Sequence, residues 1–397
     1  MKKMFRNLLV MLTSGVIVFS CGKETDSEKE TDKNKISDTS GKKFISKWNV
    51  NGDTKIVLPI YQRGKYDFTV DWGDNTGKQK VTSYNDSNAN HTYTTGGEKT
   101  ITITGKIEGF NFGKVPHSKD KILGISDWGD LKLGNSVPYT IRHNNEDITL
   151  NLGCFQGCTK LVTLPVEAPN LEGITSIASM FFGAITFNQD LSNWDVSKVT
   201  GMNWMFCSAT DFNSDISKWI VSNVTDMRFM FKSATSFNGD ISNWNVSKVT
   251  NMESMFYDAK SFNQNIGDWT VSNVTDMKSM FYDATAFNQN IGGWTVSNVT
   301  DMRGMFYGAN YFDQNIGSWN VSNVTDMSFM FLNAKSFNQN IGSWNVSNVT
   351  DMNSMFRGAT RFNQNISGWQ IHNSNAMTDM FHGATSMTED YKPKSGN

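Results

Sequence analysis

Methionine beside phenylalanine is the most repeated chemical pairing in this chain, from Met180-Phe181 through Met380-Phe381 at a constant interval of 25 residues. Thioether sulfur ligates soft metals such as Cu(I). A Met that recurs beside Phe in every unit, however, fits a core-filling role, because its flexible side chain packs irregular apolar space. The five His, at positions 91, 117, 143, 372 and 382, are scattered and show no zinc spacing. Cys154 and Cys158 lack the second pair that an all-thiolate zinc site requires, and Cys207 stands apart. Asp71, Asp74 and Asn75 offer oxygens to a hard cation such as calcium, but the same residues are ordinary turn formers. Acids such as Asp326 and Asp351 sit near expected helix starts, where capping accounts for them. No acid, base or nucleophile breaks the pattern, so neither a catalytic residue, a cofactor nor a metal is expected.

The charge balance, 36 basic against 38 acidic residues for a net −2, supplies no field that would gather nucleic acid. Lys2, Lys3 and Arg6 followed by the apolar run Leu8 to Phe19 read as a targeting segment over residues 1–20. The run ends in Val18-Phe19-Ser20-Cys21, which resembles a lipobox, although Phe19 departs from the small or aliphatic residue usual there. The resemblance implies lipid attachment at Cys21 and anchorage to the bacterial cell envelope, and Lys23-Glu24-Thr25-Asp26 resembles the charged stretch that sends some lipoproteins to the outer membrane, facing outward. Residues 21–43 are rich in Lys, Glu, Asp, Ser and Thr and are expected to form a disordered tether.

Tyr66, Phe68, Val70 and Trp72 alternate and stop at Gly73-Asp74-Asn75-Thr76-Gly77, as a strand entering a tight turn does. With His91-Thr92-Tyr93 and the alternating Thr100-Ile101-Thr102-Ile103, the stretch 44–105 resembles a PKD-type immunoglobulin-like β-sandwich. Residues 106–150 read as a connector with some strand.

Eight Trp, from Trp194 to Trp369, share the interval of 25, and such a fixed period marks a solenoid. In the unit 224–249, Met227, Met230, Phe231 and Ala234 lie at i, i+3, i+4 and i+7, the face of a short helix. Ile241, Trp244, Val246 and Val249 have leucine-rich-repeat spacing, which places a strand at Trp244 to Val246. The expected fold class is therefore an α/β solenoid over 151–390, with one short strand and one short helix per repeat, after an N-terminal all-β domain. Residues 391–397 remain as a tail. A segment from Cys154 to Pro165 reads as a divergent first turn, since terminal repeats are usually atypical.

The repeat FNQNIGxWNVSNVTDMxxMFxxA over residues 150 to 390 resembles the BspA-like leucine-rich-repeat surface proteins. That resemblance implies a bacterial surface protein with an adhesive or binding role toward a host or bacterial surface protein. Val224, Val249, Val274 and Val299 occupy the position where leucine-rich repeats carry an inward Asn ladder, so the coil is expected to depart from a horseshoe.

Two surfaces are candidates for the partner. On an ideal helix wheel, the second and fifth residues after the first Met of each unit point away from the core. Those positions hold Trp204, Phe229 and Phe329, and Tyr257, Tyr282, Tyr307 and Leu332, an aromatic row of the kind found at protein interfaces. Outward positions of the expected strand hold Asn243, Asn245, Asp268, Thr270, Ser318, Asn320, Ser343 and Asn345, short polar groups able to bind a glycan.

Overall fold

Alternating burial organises the first strand, where Phe44, Trp48 and Val50 turn inward and Lys43, Lys47 and Asn49 outward. The computed structural model describes residues 41–143, 146–371 and 377–394; the expected targeting segment, Cys21 and nearly all of the tether lie outside them. Strands β1 (Lys43–Val50), β3 (Ile60–Asp71), β4 (Lys78–Val81), β6 (Gly97–Phe110) and β7 (Ile122–Trp128) form a sheet of order β4-β3-β6-β1-β7. All those pairings are antiparallel, whereas β8 (Leu131–Leu133) pairs parallel with β6. β2 (Thr54–Val57) and β5 (Asn90–Tyr93) make a second, two-stranded sheet, and β9 (Val137–His143) and β10 (Glu146–Leu152) a third. Tyr66, Phe68, Val70 and Trp72 are all buried, as their alternation requires.

The turn after Trp72 spends its polar groups locally. Asp71 Oδ1 accepts from the Gly73 N–H, and Asp74 Oδ1 accepts from the Thr76 hydroxyl and N–H. Asp74 Oδ2 lies 2.6 Å from His91 Nε2, and the imidazole stacks on Trp72 at 5.0 Å. These contacts tie the turn to β5 as structure, and among the described residues no His, Cys, Asp and Glu cluster is arranged to hold a metal ion.

β7 and β8 also carry the sheet into the repeats. Gly124 bridges to Thr163 and Lys132 to Asn170, and the Val162 N–H donates to the Leu123 carbonyl at 2.8 Å. A Cβ on Gly124 would lie 1.8 Å from Thr163 Oγ1, so this approach demands glycine. Trp128 donates its indole N–H to the Glu167 carbonyl and packs its ring 6.3 Å from Phe155. One apolar core therefore runs without a break from Phe44 to Met387.

The repeats are not an α/β solenoid. Among the described residues there is no α-helix, and the Trp244–Val246 stretch is not a strand. In the segment expected to be helical, the N–H groups of Met230, Lys232 and Ala234 bond to the carbonyl three residues back. The alternate N–H groups leave the coil: Met227, Phe229, Phe231 and Ser233 donate to Asn251, Glu253, Met255 and Tyr257 of the next coil. Left-handed backbone at Phe229 (φ 59°) and Ser233 (φ 55°) aims those donors along the array. A left-handed non-Gly residue costs roughly 1–2 kcal/mol, which a buried N–H that gains its acceptor offsets by about the same amount. The parallel bridges fall on this side, joining Ser176, Gly201, Asp226, Asn251, Asp276, Asp301, Asp326 and Asp351 in one column.

The inward side chains are those the spacing indicated. Met227, Met230, Phe231, Ala234, Phe237 and Ile241 are fully buried, and Trp244 and Val246 nearly so. An Asn ladder is present, but at the Asn of Phe-Asn-Gln rather than at Val224, Val249, Val274 and Val299, which are buried apolar residues. Asn263 donates its N–H to Asn238 Oδ1, Asn288 to Asn263, Asp313 to Asn288 and Asn338 to Asp313, at 2.8–3.0 Å. The divergent first turn takes part: the Phe155 N–H donates to the Met180 carbonyl at 2.9 Å, as the Phe181 N–H does to Met205. Cys154, Cys158 and Cys207 are buried free thiols.

Candidate functional site

Equivalent rings in successive coils lie almost parallel, so their separation measures the local advance of the array. It is 4.3 Å for Tyr257–Tyr282 and 4.0 Å for Tyr282–Tyr307. It rises to 5.7 and 5.6 Å for Phe256–Phe281 and Phe281–Phe306, and to 5.9 Å for Phe262–Phe287. On the Trp side it reaches 6.4 Å for Trp294–Trp319. The coils therefore fan, and these repeats bend toward the tyrosines. The cause is that a backbone ladder draws the coils to strand spacing, about 4.8 Å, on one side only. On the other side bulky indoles set the distance, each donating its N–H to a carbonyl of the coil before, as Trp294 does to Ile266 at 3.0 Å.

The structure brings most of the expected aromatic residues together on this concave side. Phe182 meets Trp204 at 5.9 Å, and Trp204 stacks on Phe229 at 4.0 Å. Lys232 Nζ lies 5.5 Å from the Phe229 ring centre and 4.3 Å from that of Tyr257, where the tyrosine stack begins. Phe329 and Leu332, in the coil after Tyr307, are half-buried. Each of seven successive coils thus supplies one ring: Phe182, Trp204, Phe229, Tyr257, Tyr282, Tyr307 and Phe329. In the tyrosine coils the other position holds Ser254, Ser279 or Gly304, all buried. Sequence reasoning missed Phe182 and Lys232. The signal was this reciprocity, small at one position where the other carries a ring, because neighbouring coils share limited space along the strip.

Burial sets the electrostatics. It pushes the Tyr257 phenol up to about 12, helped by Asp283, and it also raises Tyr282, helped by Tyr307. Burial lowers Lys232, against the pull of Cys207, Glu253 and Asp258, and raises the Cys207 thiol to about 11. Beside the strip, burial raises Asp276 and Asp301 above the ordinary carboxylate range; Glu253 adds to the first, Asp276 and Asp326 to the second. Arg303 spans Asp301 at 3.1 Å and Asp326 at 3.6 Å, and Lys278 meets Glu253 at 3.3 Å.

The polar candidates occupy the wide, Trp side. Asn243, Asn245, Asp268, Thr270, Ser318, Asn320, Ser343 and Asn345 are exposed, alternating with buried Trp and Val. Several of their groups are engaged within the array. Asn245, Asn320 and Asn345 accept from the N–H two residues on, and Ser318 and Ser343 donate to Gly292 and Gly317 of the preceding coil.

No curated protein and no solved structure matches the chain. Three overlapping stretches, residues 151–256, 218–314 and 289–394, match one family of repeats, and together they cover more than half of the sequence. The chain belongs to that family, described as Mycoplasma protein of unknown function, DUF285.

Proposed function

We propose that this chain is a cell-surface, lipid-anchored binding protein that docks a protein partner on the concave aromatic strip and performs no catalysis. The observation that carries the reading is the run of contacts along the strip: Phe182, Trp204 and Phe229 meet in turn, Lys232 bridges Phe229 to Tyr257, and Tyr257, Tyr282 and Tyr307 stack, the rings being half-buried except Phe182 and Phe229, which are buried. Tyr and Trp supply large, stiff contact area at protein interfaces, and stacked repeats use their concave sides for extended contacts. Anchorage through Cys21 joins the proposal from the lipobox-like sequence and the charged residues after it. A protein partner is favoured over a glycan because sugars stack on open ring faces, whereas Tyr257, Tyr282 and Tyr307 cover one another's faces and leave edges and hydroxyls.

The test is combined substitution of Tyr257, Tyr282 and Tyr307 by Ser, with attachment to intact cells and thermal melting measured on one preparation. Attachment lost at little-changed melting supports the reading. Attachment retained sends the binding function to the polar positions of the wide side.

A further inference from the structure

Building on that docking reading, we infer that the concave strip recognises a lysine- and arginine-rich segment of the protein partner. The first observation is a stand-in already in place. Lys232 lays its ammonium over Phe229 and Tyr257, at the head of the tyrosine stack, and is itself buried. A cation over aromatic rings is attracted by their negative faces, more so when water is excluded. Glu253 and Asp258 act on the same ammonium.

The second observation is charge. Residues 251–333, which carry the tyrosine stack, hold eight Asp and Glu against three Lys and Arg, a formal −5 in a chain of net −2. The excess is not spread evenly around the coil. Asp276, Asp301 and Asp326 stand in the bridge column on one flank of the stack, and Asp258 and Asp283 directly follow Tyr257 and Tyr282 on the other. Arg303 already pairs with Asp301 and Asp326, Lys278 with the neighbouring Glu253, and Lys260 with Asp258, which shows that both flanks accommodate ammonium and guanidinium groups. Tyrosine edges and hydroxyls between two rows of carboxylates accept N–H donors and repel acidic segments. Partially buried carboxylates also act at lower effective dielectric than exposed ones.

The probe is a labelled ten-residue Lys-Ser peptide, with Gln-Ser and Glu-Ser peptides of equal length, titrated by anisotropy into the full chain. Two variants are compared with the parent: Asp276→Asn with Asp301→Asn and Asp326→Asn, and Asp258→Asn with Asp283→Asn. Asparagine keeps the Oδ1 that accepts the N–H two residues on, so the turns of the first variant retain their hydrogen bonds. The expected result is binding of the Lys-Ser peptide alone, weakened at least tenfold in each variant and by added salt, with melting preserved. Equal binding of the Gln-Ser peptide, or unchanged Lys-Ser affinity in both variants, overturns the inference. If cell attachment survives both Asn variants but is lost in the tyrosine variant, the strip docks a partner that is not basic. If attachment survives all three, the docking reading itself fails.

Discussion

Trp294 and Trp319 lie 6.4 Å apart with 1° between their ring planes, and each indole donates its N–H to a carbonyl of the coil before. The column is nearly inaccessible, with Trp294 at 4% exposure. Trp294→Ala should cost about 3–5 kcal/mol, as for other buried aromatics. Because repeats couple only to neighbours, the loss should broaden the melt or split it in two. Calorimetry checks this, and an unchanged transition would show that the column carries no stability.

Asn333 has left-handed backbone, φ 57°, at a position where the coils on either side carry Gly308 and Gly358. Asn333→Gly should raise stability by several tenths of a kcal/mol, because glycine adopts this region without a Cβ penalty. Asn333→Val should lower it by about 1–2 kcal/mol. Urea midpoints of the three proteins give the order.

The Asn ladder contains its own natural experiment. Asp313 replaces Asn in one coil, yet it still donates its N–H to Asn288 and accepts from Asn338 and Gln339. Only the acceptor oxygen is needed, so Asn263→Asp, two coils from Asp313, should leave the neutral-pH melting temperature nearly unchanged. Asn288→Leu strands the Asp313 N–H and the Gln314 amide and should cost about 1–3 kcal/mol.

Asp276 and Asp301 are raised by burial in the folded chain, so the native state holds protons that the unfolded state releases. Stability must then fall as pH rises through the interval just above the unfolded carboxylate value. Asp74 has the opposite sign. Burial opposes its ionisation, but hydrogen bonds from Thr76 and His91 outweigh it and lower its pKa, so its contribution is lost as pH falls below the ordinary carboxylate range. Asp301→Asn should flatten the first dependence and Asp74→Asn the second. Melting curves across the acid range, with each variant tested separately, distinguish the two sites.

Cys21→Ala should shift the protein from the membrane fraction to the soluble fraction or leave its precursor uncleaved. Fractionation followed by mass measurement of the N-terminus reads the result, and membrane retention with normal maturation would remove lipid anchorage from the proposal.

The inward residues were legible because burial is a property of side-chain type and interval. A period of 25 carrying Met, Phe, Trp and Val at constant places determines a stack of like units and names its core, and Met227, Phe231, Trp244 and Val246 are all buried as that pattern requires. The path of the backbone was not legible. Apolar residues at i, i+3, i+4 and i+7 point inward on an α-helix, and they do so equally on a succession of tight turns with left-handed residues at Phe229 and Ser233. Local periodicity cannot separate the two, because the deciding hydrogen bonds leave the segment: Phe229 pairs with Glu253 and Ser233 with Tyr257, each 24 residues away. The aromatic strip shows the same division. Trp204, Phe229 and the three tyrosines could be named from their positions, Phe182 and Lys232 could not, and the side toward which the coils bend depends on how far apart successive coils settle. That distance is set jointly by the backbone ladder beside the tyrosines and the stacked indoles opposite, a balance that exists only once many coils are packed together.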